Sequence, residues 1–197
     1  MLYSDPMPTT YHHGDLPGAL VSAAVEILDE EGGATDLSLR AVARRAGVST
    51  AAPYRHFPDR GALISAVAAV GYRELAAALA AASPAPSGPE DLPDIAIAYV
   101  DFALHRTGLF RAMFAEPCGT EPDRVEAVEA VKTYLTGLIQ QTLPGSADST
   151  DTATAVWALV HGLAFLHLDG KFDASPAEEV HRRVRATVTA ALGIAQA

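Results

Sequence analysis

Apolar residues recur at helical spacing through most of the chain, and the polar, Gly and Pro positions between them mark where one helix stops and the next starts. Leu20, Ala24, Ile27 and Leu28 fall on one face of a first helix, which Asp15 can cap and whose first turn tolerates Pro17; Gly32 or Gly33 ends it. Ser38 can cap a second, short helix with Leu39, Val42, Ala43 and Ala46 at i, i+3, i+4 and i+7, closed by Gly47. Ser49 can cap a third that runs only to about His56, because Pro58 disfavours helical geometry at Phe57. Asp59 caps a fourth, which carries Leu63, Val67 and Val70 on one stripe and continues to Ser83-Pro84. Residues 83–93, rich in Pro, Ser and Gly, read as loop with no room for an interior helix.

Beyond that loop the period stays helical. Leu92, Ile95, Tyr99, Phe102 and Ala103 share a face up to Gly108, and residues 109–115 form a short apolar segment closed by Pro117. Val125, Val128, Leu135 and Ile139 mark a helix ended by Pro144-Gly145. Two more follow: one over roughly Asp151 to His167, apolar nearly all round, and one from about Pro176 with Val180, Val184, Val188 and Leu192 in register. Residues 1–11, with Pro6 and Pro8 and no periodicity, read as a mobile arm. With no convincing strand or repeat, the fold class is all-α: an N-terminal three-helix module followed by a helical bundle.

Chemistry concentrates at the second and third helices. Two helices of about two turns, joined by Gly47-Val48-Ser49, can cross steeply when small residues such as Ala43 and Ala46 let them approach, which is helix-turn-helix geometry. The N-terminal part of the second helix of such a pair enters the major groove, where Ser49, Thr50, Ala51, Ala52, Tyr54 and His56 have the required small or hydrogen-bonding character. Net charge, −10, speaks against nucleic acid on average. Locally the balance reverses: between Leu37 and Arg60 lie Arg40, Arg44, Arg45, Arg55 and Arg60 against the single acid Asp59. An acidic body with one basic edge is repelled by DNA in most orientations and admitted in one.

The run Leu39-Arg40-Ala41-Val42-Ala43-Arg44-Arg45-Ala46-Gly47-Val48-Ser49, then Tyr54-Arg55-His56-Phe57-Pro58-Asp59-Arg60 and Leu63, closely resembles the DNA-binding signature of the tetracycline-repressor (TetR) family of transcription regulators. Within that family the opening Tyr11-His12-His13-Gly14-Asp15-Leu16 is similar to one branch, and Trp157-x-x-x-His161-Gly162 resembles a Trp-His-Gly motif in the C-terminal domain of some members. The resemblance implies that Thr50 and Ala51 face base edges, that Tyr54 and His56 lie against phosphates, that Arg60 touches phosphate, and that Arg40 and Arg44 reach the flanking backbone. Members often carry Gly-Thr-Leu where this chain has Ala52-Pro53. Pro53 removes a donor within the first turn, a change expected to cost little stability. Residues 1–60 are then the arm and DNA-binding domain and 61–197 the ligand-binding and dimerisation domain. The partners implied are an operator duplex, a second copy of the chain through the last two helices, and a small-molecule effector.

For the effector the candidates are Tyr99, Phe102, Phe110, Met113, Phe114, Trp157, His161 and Phe165, a set that could equally be core. His161 sits four residues after Trp157 on one face, either hydrogen-bonded inside or offered to a ligand. His161 and His167, six residues apart, stand roughly 120° apart around a helix, against a metal site. Phe57 is expected in the core, and Cys118 is assigned no role. No cofactor and no catalytic residue is expected, since no nucleophile elbow or phosphate-cradling loop occurs. Two rival readings stand beside the regulator: an all-α enzyme using His161 with Asp169 or another acid, and a constitutive DNA-binding protein without effector. Arg73, Glu74, His161 and His167 interrupt the most apolar stretches, so no membrane span is expected, and the absence of a secretion pattern points to the cytoplasm.

Overall fold

The computed structural model describes residues 15–31, 37–115 and 120–194; the arm with His12 and His13, the helix stop at Gly32 or Gly33, and Pro117 and Cys118 lie outside them. The described residues form eight α-helices and no strand. α1 spans Leu16–Glu31, α2 Leu39–Arg45 and α3 Arg60–Ala82. Each starts on the cap its sequence offers: Asp15 Oδ1 accepts from the Gly18 amide at 2.9 Å, Ser38 Oγ from Ala41 at 3.1 Å, and Asp59 Oδ1 from Ala62 at 2.8 Å. α4 (Leu92–His105), α5 (Thr107–Ala115), α6 (Pro122–Thr142), α7 (Ser149–Leu168) and α8 (Ala177–Leu192) complete the body. α7 begins two residues before the expected Asp151, because Asp148 Oδ1 accepts from the amides of both Thr150 and Asp151. The Pro-rich loop before α4 holds one 3-10 turn, Pro89–Asp91.

Between α2 and the next element the chain turns as the Gly47 position requires. Gly47 has φ +69°, its amide bonds to Arg44 O at 3.2 Å, and the Val48 amide reaches back to Ala43 O at 2.9 Å, the paired closure of a Schellman turn. Val48 packs against the core behind it. Gly47→Ala is therefore expected to lower stability by about 1 kcal/mol through left-handed backbone strain alone, since a Cβ there meets nothing within 4 Å. Urea denaturation reads this; an unchanged midpoint would remove the strain argument.

The expected α-helix from Ser49 to His56 is not formed. Its place is taken by a turn and a single 3-10 turn, Pro53–Arg55, with Ala52 as N-cap and no side-chain cap. Pro53 lies four residues after Ser49, so it is the residue whose N–H would close the first α-helical ring, and it has none. The Ser49 carbonyl instead accepts from Ala52 at 3.0 Å, an i→i+3 bond. Pro53 thus does more than the small first-turn loss expected from the sequence. Pro53 and Phe57 are buried, which seats this segment on the module's core as expected for Phe57.

α3 is the axis of the molecule. Its length and composition would allow it to cross a membrane, Arg73 and Glu74 notwithstanding, yet its apolar residues are taken up by neighbours: it packs on α1 near its start and on α4, α5 and α6 along its length. α4 joins α8 through polar contacts, His181 Nε2 to both Asp101 oxygens at 2.9 Å and Arg185 to Asp94. In α6 the buried row is Ala127, Val128, Val131, Leu135, Leu138 and Ile139, while Val125, read as part of that face, is 37% exposed. Val125 lies within the first turn of the helix.

Candidate nucleic-acid interface and ligand cavity

Along α2 and the turn segment, Arg40, Arg44, Ser49, Thr50, Ala51 and His56 are all exposed, and Tyr54 is 52% exposed, an unusual state for a ring beside a buried proline. Arg40, Arg44 and Arg55 make no ion pair with any described residue. The other two arginines of the basic stretch are engaged. Arg45 Nη1 donates to Glu30 Oε1 at 2.9 Å, Nη2 pairs with Glu30 Oε2, and Glu26 Oε2 stands 3.4 Å from Nη1. Arg60 is half-buried and its Nε donates to the Leu37 carbonyl at 2.9 Å, tying the start of α3 to the segment before α2. Arg55, which belongs to the basic stretch but not to the DNA-facing residues expected from sequence, is exposed on the same segment.

In the body, the predicted aromatic set does come together. Phe110 is fully buried and surrounded by Tyr99, Phe102, Phe114 and Phe165 at ring-centre distances of 5.7, 6.4, 5.0 and 5.7 Å. His161 lies over Phe114 at 4.4 Å and Phe165 at 4.8 Å. Met113 is buried against Gly71, where the absence of a Cβ leaves room for its thioether. Edge and tilted contacts of this kind contribute about 0.5–1.5 kcal/mol each beyond burial, so the cluster welds α4, α5 and α7 together.

One polar line crosses this apolar mass. The Trp157 indole can only donate, so Tyr99 Oη accepts from Nε1 at 3.1 Å and gives its own proton to His161 Nδ1 at 3.0 Å. That direction places the imidazole proton on Nε2. Burial pushes the Tyr99 phenol well above its ordinary value and pulls His161 below its usual 6.5, so both stay neutral near pH 7. In the unfolded chain His161 returns to about 6.5, so there the unfolded state binds more protons once the pH falls below that value. The neutral imidazole's contribution is complete above about pH 6.5 and is lost as the pH falls through it towards the lower folded value. His161→Gln, which keeps an acceptor for Tyr99, should flatten the decline in stability as the pH falls below about 6.5, seen by urea denaturation; parallel curves for the two proteins would refute the assignment.

The cavity itself, about 30 Å³, sits beside that line between α3, α4, α6 and α7. Of the eight residues proposed from sequence only Tyr99 and Trp157 line it; Phe102, Phe110, Met113, Phe114, His161 and Phe165 lie outside its wall, Phe110 and Met113 as fully buried core. The remaining wall is aliphatic, including Leu79, Ile95, Leu138 and Val160, and no sequence signal separates such residues from ordinary core. The other histidines have separate partners: His105 Nδ1 donates to Asp101 O and His167 Nδ1 to Asp173 O, both at 2.8 Å, while His181 is held by the Asp101 carboxylate. Among the described residues no group of three His, Cys, Asp or Glu is placed to hold a metal ion.

An exposed helix-turn-turn edge joined to a helical body with its own cavity defines a regulator-type architecture. The comparisons agree. The family described as "Bacterial regulatory proteins, tetR family" matches residues 20–67, and "Tetracyclin repressor-like, C-terminal domain" matches residues 92–191. A protein with unknown function from Rhodococcus sp. RHA1 is 36% identical, with a TM-score of 0.75 over 95% of this chain and 100% of the other. A TetR transcriptional regulator from the same organism is 19% identical (TM-score 0.60, 91% and 96% covered). PfmR, a TetR family transcriptional regulator from Thermus thermophilus, is 18% identical (TM-score 0.63, 86% and 96% covered); these two show likeness of fold. The curated proteins gave no match. The chain belongs to the TetR family of bacterial transcription regulators.

Proposed function

We propose that the protein is a ligand-responsive transcription regulator of the cytoplasm, acting as a repressor, which grips a near-palindromic operator as a homodimer and is not an enzyme. Residues 1–60 serve as the DNA-binding domain and 61–197 as the ligand-binding and dimerisation domain, in the family branch marked by Trp157, His161 and Gly162. The observation that carries this reading is the set of exposed, acid-free arginines Arg40, Arg44 and Arg55 beside exposed Tyr54 and His56, on a molecule of net charge −10. Such a stretch lets a polyanion approach this one edge of an acidic protein. Thr50 and Ala51, exposed on the turn, approach base edges in this reading. Arg60, half-buried and bonded to Leu37, supports the module and adds its charge to the phosphate-facing edge.

Dimerisation through α7 and α8 is supported by the face that α7 leaves uncovered. Ala155, Ala158, Gly162 and Leu166 recur at helical spacing and are exposed, Leu166 by 38%, and a groove lined by Leu159, Phe172, Arg183 and Thr187 runs beside them. Small residues let a second helix approach closely, and the two-fold axis then presents two DNA-binding modules about 34 Å apart. Gly162→Glu is expected to give a monomer of unchanged helicity, because nothing lies within 4 Å of a Cβ at that position in the single chain. Sedimentation should show the loss of the dimer; a dimer of unchanged affinity would move the interface elsewhere.

Besides the packing of α3 on α1, the body touches α1 at the corner between α4 and α5. Arg106, between α4 and α5, pairs with Asp29 of α1 at 3.1 Å and with Glu74 of α3 at 2.5 Å. Next to it, Gly108 lies against the Leu28 carbonyl. A ligand that parts α4 from α6 and α7 therefore displaces α1 and, through it, the spacing of the two modules. A cavity of about 30 Å³ also suits a constitutive regulator with no effector, the second reading. Selection of duplexes from a random pool at low ionic strength tests the main proposal: it should return a two-fold symmetric sequence. A monomer that binds no duplex under those conditions would end it.

A further inference from the structure

We propose that the cavity between α3, α4, α6 and α7 takes an uncharged, hydrocarbon-rich molecule and that Trp157 reports its occupancy; this rests on the reading of the body as an effector domain. The wall is built from aliphatic side chains, Leu79, Ile95, Leu138 and Val160 among them, and two aromatic ones, Tyr99 and Trp157. No Lys, Arg, Asp or Glu lines it. The polar atoms of its two aromatic residues are already committed to one another and to His161: the indole N–H is given to Tyr99 Oη and the phenol proton to His161 Nδ1. The wall therefore offers no free donor to a carboxylate or phosphate and no carboxylate to an ammonium, and an ion buried there would lose its hydration with nothing in return.

Water gains little there on the same ground: the space, about 30 Å³, has room for one, but a buried water needs about two to four polar partners and the side-chain donors of this wall are already given away. A ligand of useful size must widen the space by moving α4 against α6 and α7, and the moving wall carries Tyr99 and Trp157. Trp157 is the single tryptophan of the chain, so its emission isolates this one place.

The test uses the full-length protein and three skeletons, linear decyl, butylphenyl and decalin, each as the hydrocarbon, the carboxylate and the ammonium, below any micellar concentration. Trp157 emission and melting temperature are followed. The expected result is that at least one hydrocarbon form binds and that its charged forms bind about a hundredfold more weakly or not at all. A carboxylate or ammonium binding as tightly as its hydrocarbon overturns the ligand class and leaves the effector reading standing. Silence from all nine compounds in both readouts removes the ligand class and the effector reading together. Ala96→Leu, and Val156→Phe at a half-buried edge, should each weaken binding about tenfold by filling the space. If Val156→Phe melts like the wild type and binds as tightly, the compound sits elsewhere and the proposal fails.

Discussion

Gly108→Ala is expected to lower stability by about 3 kcal/mol, and the melting temperature by roughly 6–12 °C. A Cβ at this position would stand 1.9 Å from the Leu28 carbonyl oxygen and 2.6 Å from its carbon, both backbone atoms of α1. Backbone cannot rotate away as a side chain can, so α1 or α5 must shift as a whole. The same substitution at Gly71 meets Met113 Sδ at 2.6 Å, the middle of a flexible thioether, and should cost about 1 kcal/mol. At Gly137, exposed in α6 with nothing within 4 Å, alanine should stabilise by up to about 1 kcal/mol through helix propensity. The order Gly108 far below Gly71, and Gly137 above wild type, is read by urea denaturation of the three variants. Gly108→Ala no worse than Gly71→Ala would mean that α1 is not seated on α5 as described. The consequence reaches function, because that contact and the Arg106 pair with Asp29 join the α4–α5 corner of the body to α1.

The second large effect concerns duplex DNA. Replacing Arg40, Arg44 and Arg55 together with alanine should lower operator affinity by at least about a hundredfold at roughly 0.15 M salt. It should also reduce the slope of log K against log salt by about 2 to 3, near 0.9 for each phosphate contact removed. All three side chains are exposed and free of acid partners among the described residues, so stability should hardly change. Arg45→Ala is the internal control: its guanidinium is committed to Glu26 and Glu30 on α1, and its loss should leave the slope nearly intact. Tyr54→Phe should weaken binding several-fold with no change of slope, since only a hydroxyl contact is lost. A triple variant with wild-type affinity and slope would place the DNA-facing surface elsewhere on the molecule.

Charge reading along the chain and charge in space differ here for a simple reason. Five arginines against one acid between Leu37 and Arg60 look uniformly basic in sequence. Folding brings Glu26 and Glu30 of α1 onto Arg45, and turns Arg60 towards the Leu37 carbonyl, so the outward-facing positive charge is narrower than the count suggests. The turn segment shows the converse. Pro53 is visible in the sequence, and its effect follows from a backbone count alone: the Ser49 carbonyl needs the amide that Pro53 lacks, so the segment tightens to 3-10 geometry.

Helices, caps and the Gly47 turn were set by local chemistry, which is why a reading of single residues found them: an Asp or Ser at the right place can satisfy an orphan amide without help from distant parts of the chain. The aromatic and histidine candidates were recognised as a group for a similar reason, being large and few. What each of them does was decided only by packing. Phe110, Met113 and Phe165 became packing outside the cavity wall, Tyr99 became the link between Trp157 and His161, and Gly108 acquired its importance from a carbonyl 80 residues earlier. Periodicity along a chain records which face of a helix is apolar; which neighbour covers that face, and whether the fit leaves a void, depends on contacts between residues far apart in sequence, and those exist only once the helices have met.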